Sequence, residues 1–122
     1  MQRTSLTMDE LKKVVLVADS DVHFIKEPTD KKIVEGQLNW ALLLALKNCM
    51  LNNVLSVDPE AVRSLCQEKG YYDQANFAAN FKRPQYAKLF KGLMEPQGEA
   101  QALTGDGQAE LAALIKQLAA QP

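Results

Sequence analysis

The stretch from Asp58 to Pro84 reads DPEAVRSLCQEKGYYDQANFAANFKRP, and its punctuation divides it into two short helices around a joint. Asp58 suits an N-cap and Pro59 the first helical position. Val62, Leu65 and Cys66 then form one inward stripe before Gly70, which suits the stop. Past the joint, Asp73 can cap a second helix that places Phe77 and Phe81 at i, i+4 with Ala78 beside them. At about 100° per residue, Asn76, Asn80 and Arg83 fall together on the opposite face. Pro84 lacks an N–H and crowds the preceding turn. It should therefore end or kink this helix and leave QYAKLFKG as a short helical continuation.

Upstream lies the apolar run LNWALLLALKNCML, Leu38 to Leu51. It belongs to a helix expected from near Thr29 or Asp30, apolar around most of its circumference. Asn39, Lys47 and Asn48 interrupt it, and it falls short of the roughly 20 residues a membrane span needs. The run therefore predicts a central buried helix and no membrane insertion. If so small a chain cannot cover such a helix, a second copy does, and a homodimer is expected.

At the amino terminus, Thr7 and Glu10 make a capping box. Leu11, Val14, Val15 and Ala18 follow at i, i+3, i+4, i+7, which predicts an amphipathic helix. DSDVHFIKEPTD then reads as a connector with a short extended piece. Its D-x-D-x-H order lacks the sixth-position glycine and the final glutamate of a calcium loop. Downstream, Gly92 and Gly98 punctuate a small hairpin or irregular wing. Thr104 or Asp106 can cap a last helix with Leu111, Leu114, Ile115 and Leu118 on one face.

These elements compose a mainly α-helical single domain of 122 residues. Residues 1–37 are read as a helical extension with its connector, and residues 38–122 as the core. From about Asn39 to Ala119 the order of pieces resembles small bacterial winged helix-turn-helix modules. DPEAVRSLCQEKG takes the place of the first helix of the motif, YDQANFAANFKR that of the second, and ALTGDG ends the wing. Two departures stand out: Pro84 shortens the second helix, and the wing carries Glu95 and Glu99 with no Lys or Arg.

Charge gives the functional reading. The chain has a formal net charge of -1, yet Gln74 to Met94 contains Lys82, Arg83, Lys88 and Lys91 and no acidic residue. Attraction to an anion must therefore be local. The resemblance implies double-stranded DNA as the partner of a regulatory module. Asn76, Asn80 and Arg83 would face base edges, while Lys82, Lys88 and Lys91 would meet phosphates. The same surface equally suits an acidic protein partner.

Catalysis is poorly supplied. His23 is the only histidine and has no serine or cysteine at a fixed spacing. Asp58, Asp73 and Glu10 have helix-capping work, and TGDG lacks the lysine and length of a phosphate loop. Cys49 and Cys66 sit in apolar stretches rather than metal spacing, so they are expected as reduced core thiols. No enzyme activity, cofactor or metal is expected. The polar start MQRTSLTMDELKK, without an apolar signal core, makes the cytoplasm the expected location.

Overall fold

The expected central helix spans Ile33–Asn52 (α1) in a computed structural model that describes residues 12–18, 21–26, 33–52, 54–71, 77–92 and 100–120. Trp40, Ala41, Leu42, Leu43, Ala45 and Leu46 are all buried within a single copy of the chain. Each fully buried leucine contributes about 1.5–3 kcal/mol relative to exposure. A second copy is not required to cover this part of α1. No helix among the described residues is long and apolar enough to cross a membrane.

The amino-terminal helix expected through Ala18 is corrected. Residues 12–14 are helical, but Val15–Ala18 is a strand (β1) paired antiparallel with Asp21–Phe24 (β2). The register sets Val15 opposite Phe24 and Leu16 opposite His23. The physical reason lies in VVLVA: β-branched side chains lose rotamer freedom in a helix and pack well on a pleated surface. The exposure alternates with a period of two. Val15 and Val22 are buried, whereas Leu16 and His23 are exposed. The capping pair Thr7 and Glu10 lies outside the described residues.

The hairpin docks on the rest of the chain through Phe24, whose ring meets Trp40 of α1 edge to face with centroids 5.8 Å apart. Lys26 Nζ donates to the Ala119 carbonyl at 3.3 Å. Lys47 Nζ stands 3.5 Å from Asp21 Oδ1. The Val22 N–H, which Asp21 Oδ1 accepts, and then the Lys47 charge hold the Asp21 carboxyl below its ordinary value.

After α1 the chain makes a short strand, Ser56–Val57 (β3), tied back to α1 by Asn48 Nδ2, which donates to the Ser56 carbonyl at 3.1 Å. Helix α2, Pro59–Lys69, has the expected boundaries. Asp58 accepts from the Glu60 N–H, Pro59 opens the first turn, and Gly70 closes it at φ 85°, a left-handed conformation that favours glycine. Val62 and Cys66 face the core. The second helix of the pair is Phe77–Phe81 (α3); Asp73, its expected cap, lies outside the described residues.

Pro84 acts as expected and more. Arg83 is extended, and Pro84–Ala87 forms a separate short helix (α4). Beyond Ala87, however, the chain turns and Phe90 bridges Leu103 antiparallel, so the helical continuation expected through Gly92 stops early. Strand β4, Gln101–Ala102, pairs antiparallel with β3. The segment 101–104 thus lies between 55–57 on one side and 89–91 on the other. Leu103 N–H donates to Leu55 at 3.2 Å, Lys91 N–H to Ala102 at 2.9 Å and Thr104 N–H to Leu89 at 2.9 Å. Glu95 and Glu99 of the expected wing lie outside the described residues.

Thr104 caps the last helix, Gly105–Ala119 (α5), by accepting from the Gly107 N–H. Leu111, Leu114, Ile115 and Leu118 are buried as the periodicity predicts. Neither Cys49 nor Cys66 forms a disulfide, and burial pushes the Cys66 thiol up to about 12. The described chain is mainly helical with two small antiparallel sheets.

Candidate nucleic-acid interface

The four cations that stand out in the sequence lie along one excursion of the backbone between α3 and the strand bridge at Phe90. Its two ends are clasped: Phe81 and Phe90 are each 4% exposed, and their rings meet edge to face with centroids 5.9 Å apart. Leu89 is buried beside them. Between these anchors the side chains of Lys82, Arg83 and Lys88 are exposed, and Lys91 is exposed just beyond.

The excursion is held by its own backbone. Lys82 N–H donates to Ala79 at 3.1 Å, Tyr86 N–H to Arg83 at 2.9 Å, Ala87 N–H to Arg83 at 2.8 Å, and Leu89 N–H to Tyr86 at 3.0 Å. The Thr104 hydroxyl donates to the Lys88 carbonyl at 2.6 Å, joining the excursion to the start of α5. Satisfied backbone groups leave the side chains as its outward chemistry. Arg83, Lys88 and Lys91 pair with no carboxylate among the described residues. They form a cationic rim on a fixed base.

Asn80 is corrected. It was expected on the groove-facing side with Asn76 and Arg83, but it is 7% exposed, and its Nδ2 donates to Gln37 Oε1 at 3.0 Å. Gln37, fully buried, donates in turn from Nε2 to the Tyr71 carbonyl at 2.8 Å. The reason is helical geometry. Asn80 follows Phe77 by three positions, so it flanks the apolar stripe rather than opposing it. Arg83 also leaves the supposed common face, because it stands in the extended link between α3 and α4. Asn76 lies outside the described residues.

Gln37 is the residue that sequence reading missed. Its signal was a polar side chain at the head of an apolar run, and a buried amide requires a partner. No metal-holding group of three or more His, Cys, Asp or Glu side chains occurs among the described residues. No protein family, curated protein or solved structure matches the chain. The functional reading therefore rests on geometry and charge.

Proposed function

We propose that this chain is a non-enzymatic regulatory module that binds double-stranded DNA through its phosphate backbone, with Lys82, Arg83, Lys88 and Lys91 as the contacts. The observation that carries this reading is the exposure of all four cations on one hydrogen-bonded excursion. The order of elements supports it as well. Helix α1, strand β3, helices α2 and α3, the Phe90 bridge and strand β4 follow one another as in a winged helix-turn-helix, with the last strand between the other two.

The burial of Asn80 shapes the kind of recognition proposed. With that amide engaged by Gln37, it cannot pair with an adenine edge without leaving a buried acceptor unsatisfied. The surface then attracts charge rather than reading sequence. The same burial favours the second reading, an acidic protein docked on the same rim, since that partner also needs charge without base recognition.

The deciding experiment is an anisotropy titration with random-sequence duplex DNA over a series of salt concentrations. Four phosphate contacts give a slope of log K against log salt of roughly -3 to -4. Absence of binding at low salt, or a slope near zero, would overturn the DNA reading. Capture of an acidic protein that depends on the same four cations would then support the second.

A further inference from the structure

Strand β1 is the outer strand of the amino-terminal hairpin. Its partner β2 lies against α1, and no strand among the described residues flanks β1 on its other side. An open edge offers unpaired backbone groups to another chain, and such edges are ordinarily guarded by charge, proline or a bulge. Val15–Ala18 reads VLVA in an unbroken register and carries none of these guards.

The register fixes which groups face that edge. Ile25 N–H donates to the Val14 carbonyl at 2.6 Å, so the next hydrogen-bonded pair of the ladder is Leu16 with His23. The same alternation turns the backbone N–H and C=O of Val15 and Val17 away from β2. On β2 the corresponding outward donor, the Val22 N–H, is already taken by Asp21 Oδ1 at 2.8 Å. The two edges of the hairpin therefore differ, and β1 is the open one. Leu16 stands at the middle of this edge with its side chain 54% exposed.

The charge pattern about Leu16 is complementary to itself: Lys12 and Lys13 precede the strand and are exposed, and Asp19 follows it in the sequence. We propose that two copies of this chain pair edge to edge through β1, antiparallel about a two-fold axis at Leu16. Val15 then lies opposite Val17 of the partner subunit, and the outward backbone groups of each exchange hydrogen bonds. The two Leu16 residues form the close, non-hydrogen-bonded pair between these bonds, where cross-strand side chains interact most. Counting outward from the axis, Lys13 falls against Asp19 of the partner subunit. The product is a four-stranded sheet with an isologous contact. The second copy expected from the apolar α1 is thereby assigned to a different surface. None of the four cations of the excursion takes part, so the proposal stands independently of the DNA reading.

Sedimentation of the full chain from about 1 μM to about 1 mM should show a concentration-dependent dimer, because a single strand edge is a small interface. Amide exchange at Val17 should slow as the dimer forms. Leu16→Lys should weaken dimerisation about tenfold or more, since it sets like charges directly opposite one another. Ile25 is 56% exposed and lies two positions past His23, on the same face of the hairpin but one strand away from the axis. Ile25→Lys should therefore weaken dimerisation by less than about twofold. Lys13→Asp and Asp19→Lys should each weaken it about threefold, and the two together should restore the parental affinity. A chain that stays monomeric throughout the range, or a dimer whose Val17 amide exchanges as in the monomer, would overturn the proposal. So would equal losses from Leu16→Lys and Ile25→Lys, or a charge-reversed double variant no better than either single one, a test that holds even if Leu16→Lys fails to fold.

Discussion

Asn80 Nδ2 donates to Gln37 Oε1 across 3.0 Å, joining the helix that leads into the cationic excursion to the central helix of the core. Because both side chains are buried, removing one leaves the other unsatisfied. Asn80→Ala should lower stability by about 1–3 kcal/mol, measured by denaturant unfolding. It should leave the ratio of affinities for different duplex sequences unchanged, since the amide faces inward. A variant with parental stability and altered base preference would contradict the inward role.

Two leucines near one another on α1 should differ sharply. Leu42 is fully buried, whereas Leu44 is half-buried and lines a pocket beside Trp40. Leu42→Ala should cost about 2–5 kcal/mol through lost transfer energy and a residual cavity. Leu44→Ala should cost less, because the pocket already accommodates empty space beside it. Thermal melts of the two variants check the order.

Gly107 sets the fit between α5 and the excursion. A Cβ at this position would fall on the Leu89 carbonyl oxygen, with Leu103 Cβ only 3.2 Å away. Gly107→Ala should therefore destabilise the chain by about 1–3 kcal/mol, as overpacking does. In the same titrations it should weaken DNA binding without removing a charge. Unchanged melting and binding would show that the Leu89 backbone yields freely.

Lys88 offers the complementary test. Its side chain is exposed, its carbonyl accepts from the Thr104 hydroxyl and its N–H donates to the Pro84 carbonyl. Lys88→Ala should leave stability within about 0.5 kcal/mol and reduce the salt slope of DNA binding by about one unit. A loss of binding with no change in slope would remove Lys88 from the phosphate contacts.

The two thiols should separate by reactivity. Cys66 is fully buried and its thiol is pushed up to about 12 by that burial, while Cys49 is half-buried. Thiolate is the reactive form, so a disulfide reagent near pH 8 should modify Cys49 in the native state and Cys66 only on unfolding. The linkage follows in sign. A raised thiol value contributes stability that is fully present below the ordinary value of 9.0 and lost as pH rises toward about 12. Thiol counting in native and denaturing buffer, and melts across the alkaline range, check both statements.

Much of this architecture was legible because local signals agreed with the tertiary outcome. Asp58, Pro59 and Gly70 marked α2, Thr104 marked α5, and the all-round apolar run marked α1. The amino-terminal segment was not legible as a strand, because Val14, Val15 and Ala18 fit a helical period as well as part of a pleated one. Only the partner strand at Asp21–Phe24 decides between them. The candidate site divided in the same way. The cations lie at the surface, as hydration of charge requires, but Asn80 is polar without being charged. Its place depended on Gln37, which is 43 positions away in the chain.

The Phe81–Phe90 clasp and the strand pairing around 101–104 also bear on the order of assembly. The cationic excursion is completed by the segment 101–104 at the start of α5, and that segment is in turn held by β3, which lies far earlier in the chain, so the closure carries loop-closure entropy and should form late. Helices α1, α2 and α5 rest on local bonds and can persist when that closure is lost. Mild denaturation should accordingly open the excursion first, spreading its charges before the helical signal declines. Amide exchange from Leu89 to Lys91 would then run faster than exchange in the middle of α1, giving the molecule a binding surface whose integrity reports on its last-formed joint.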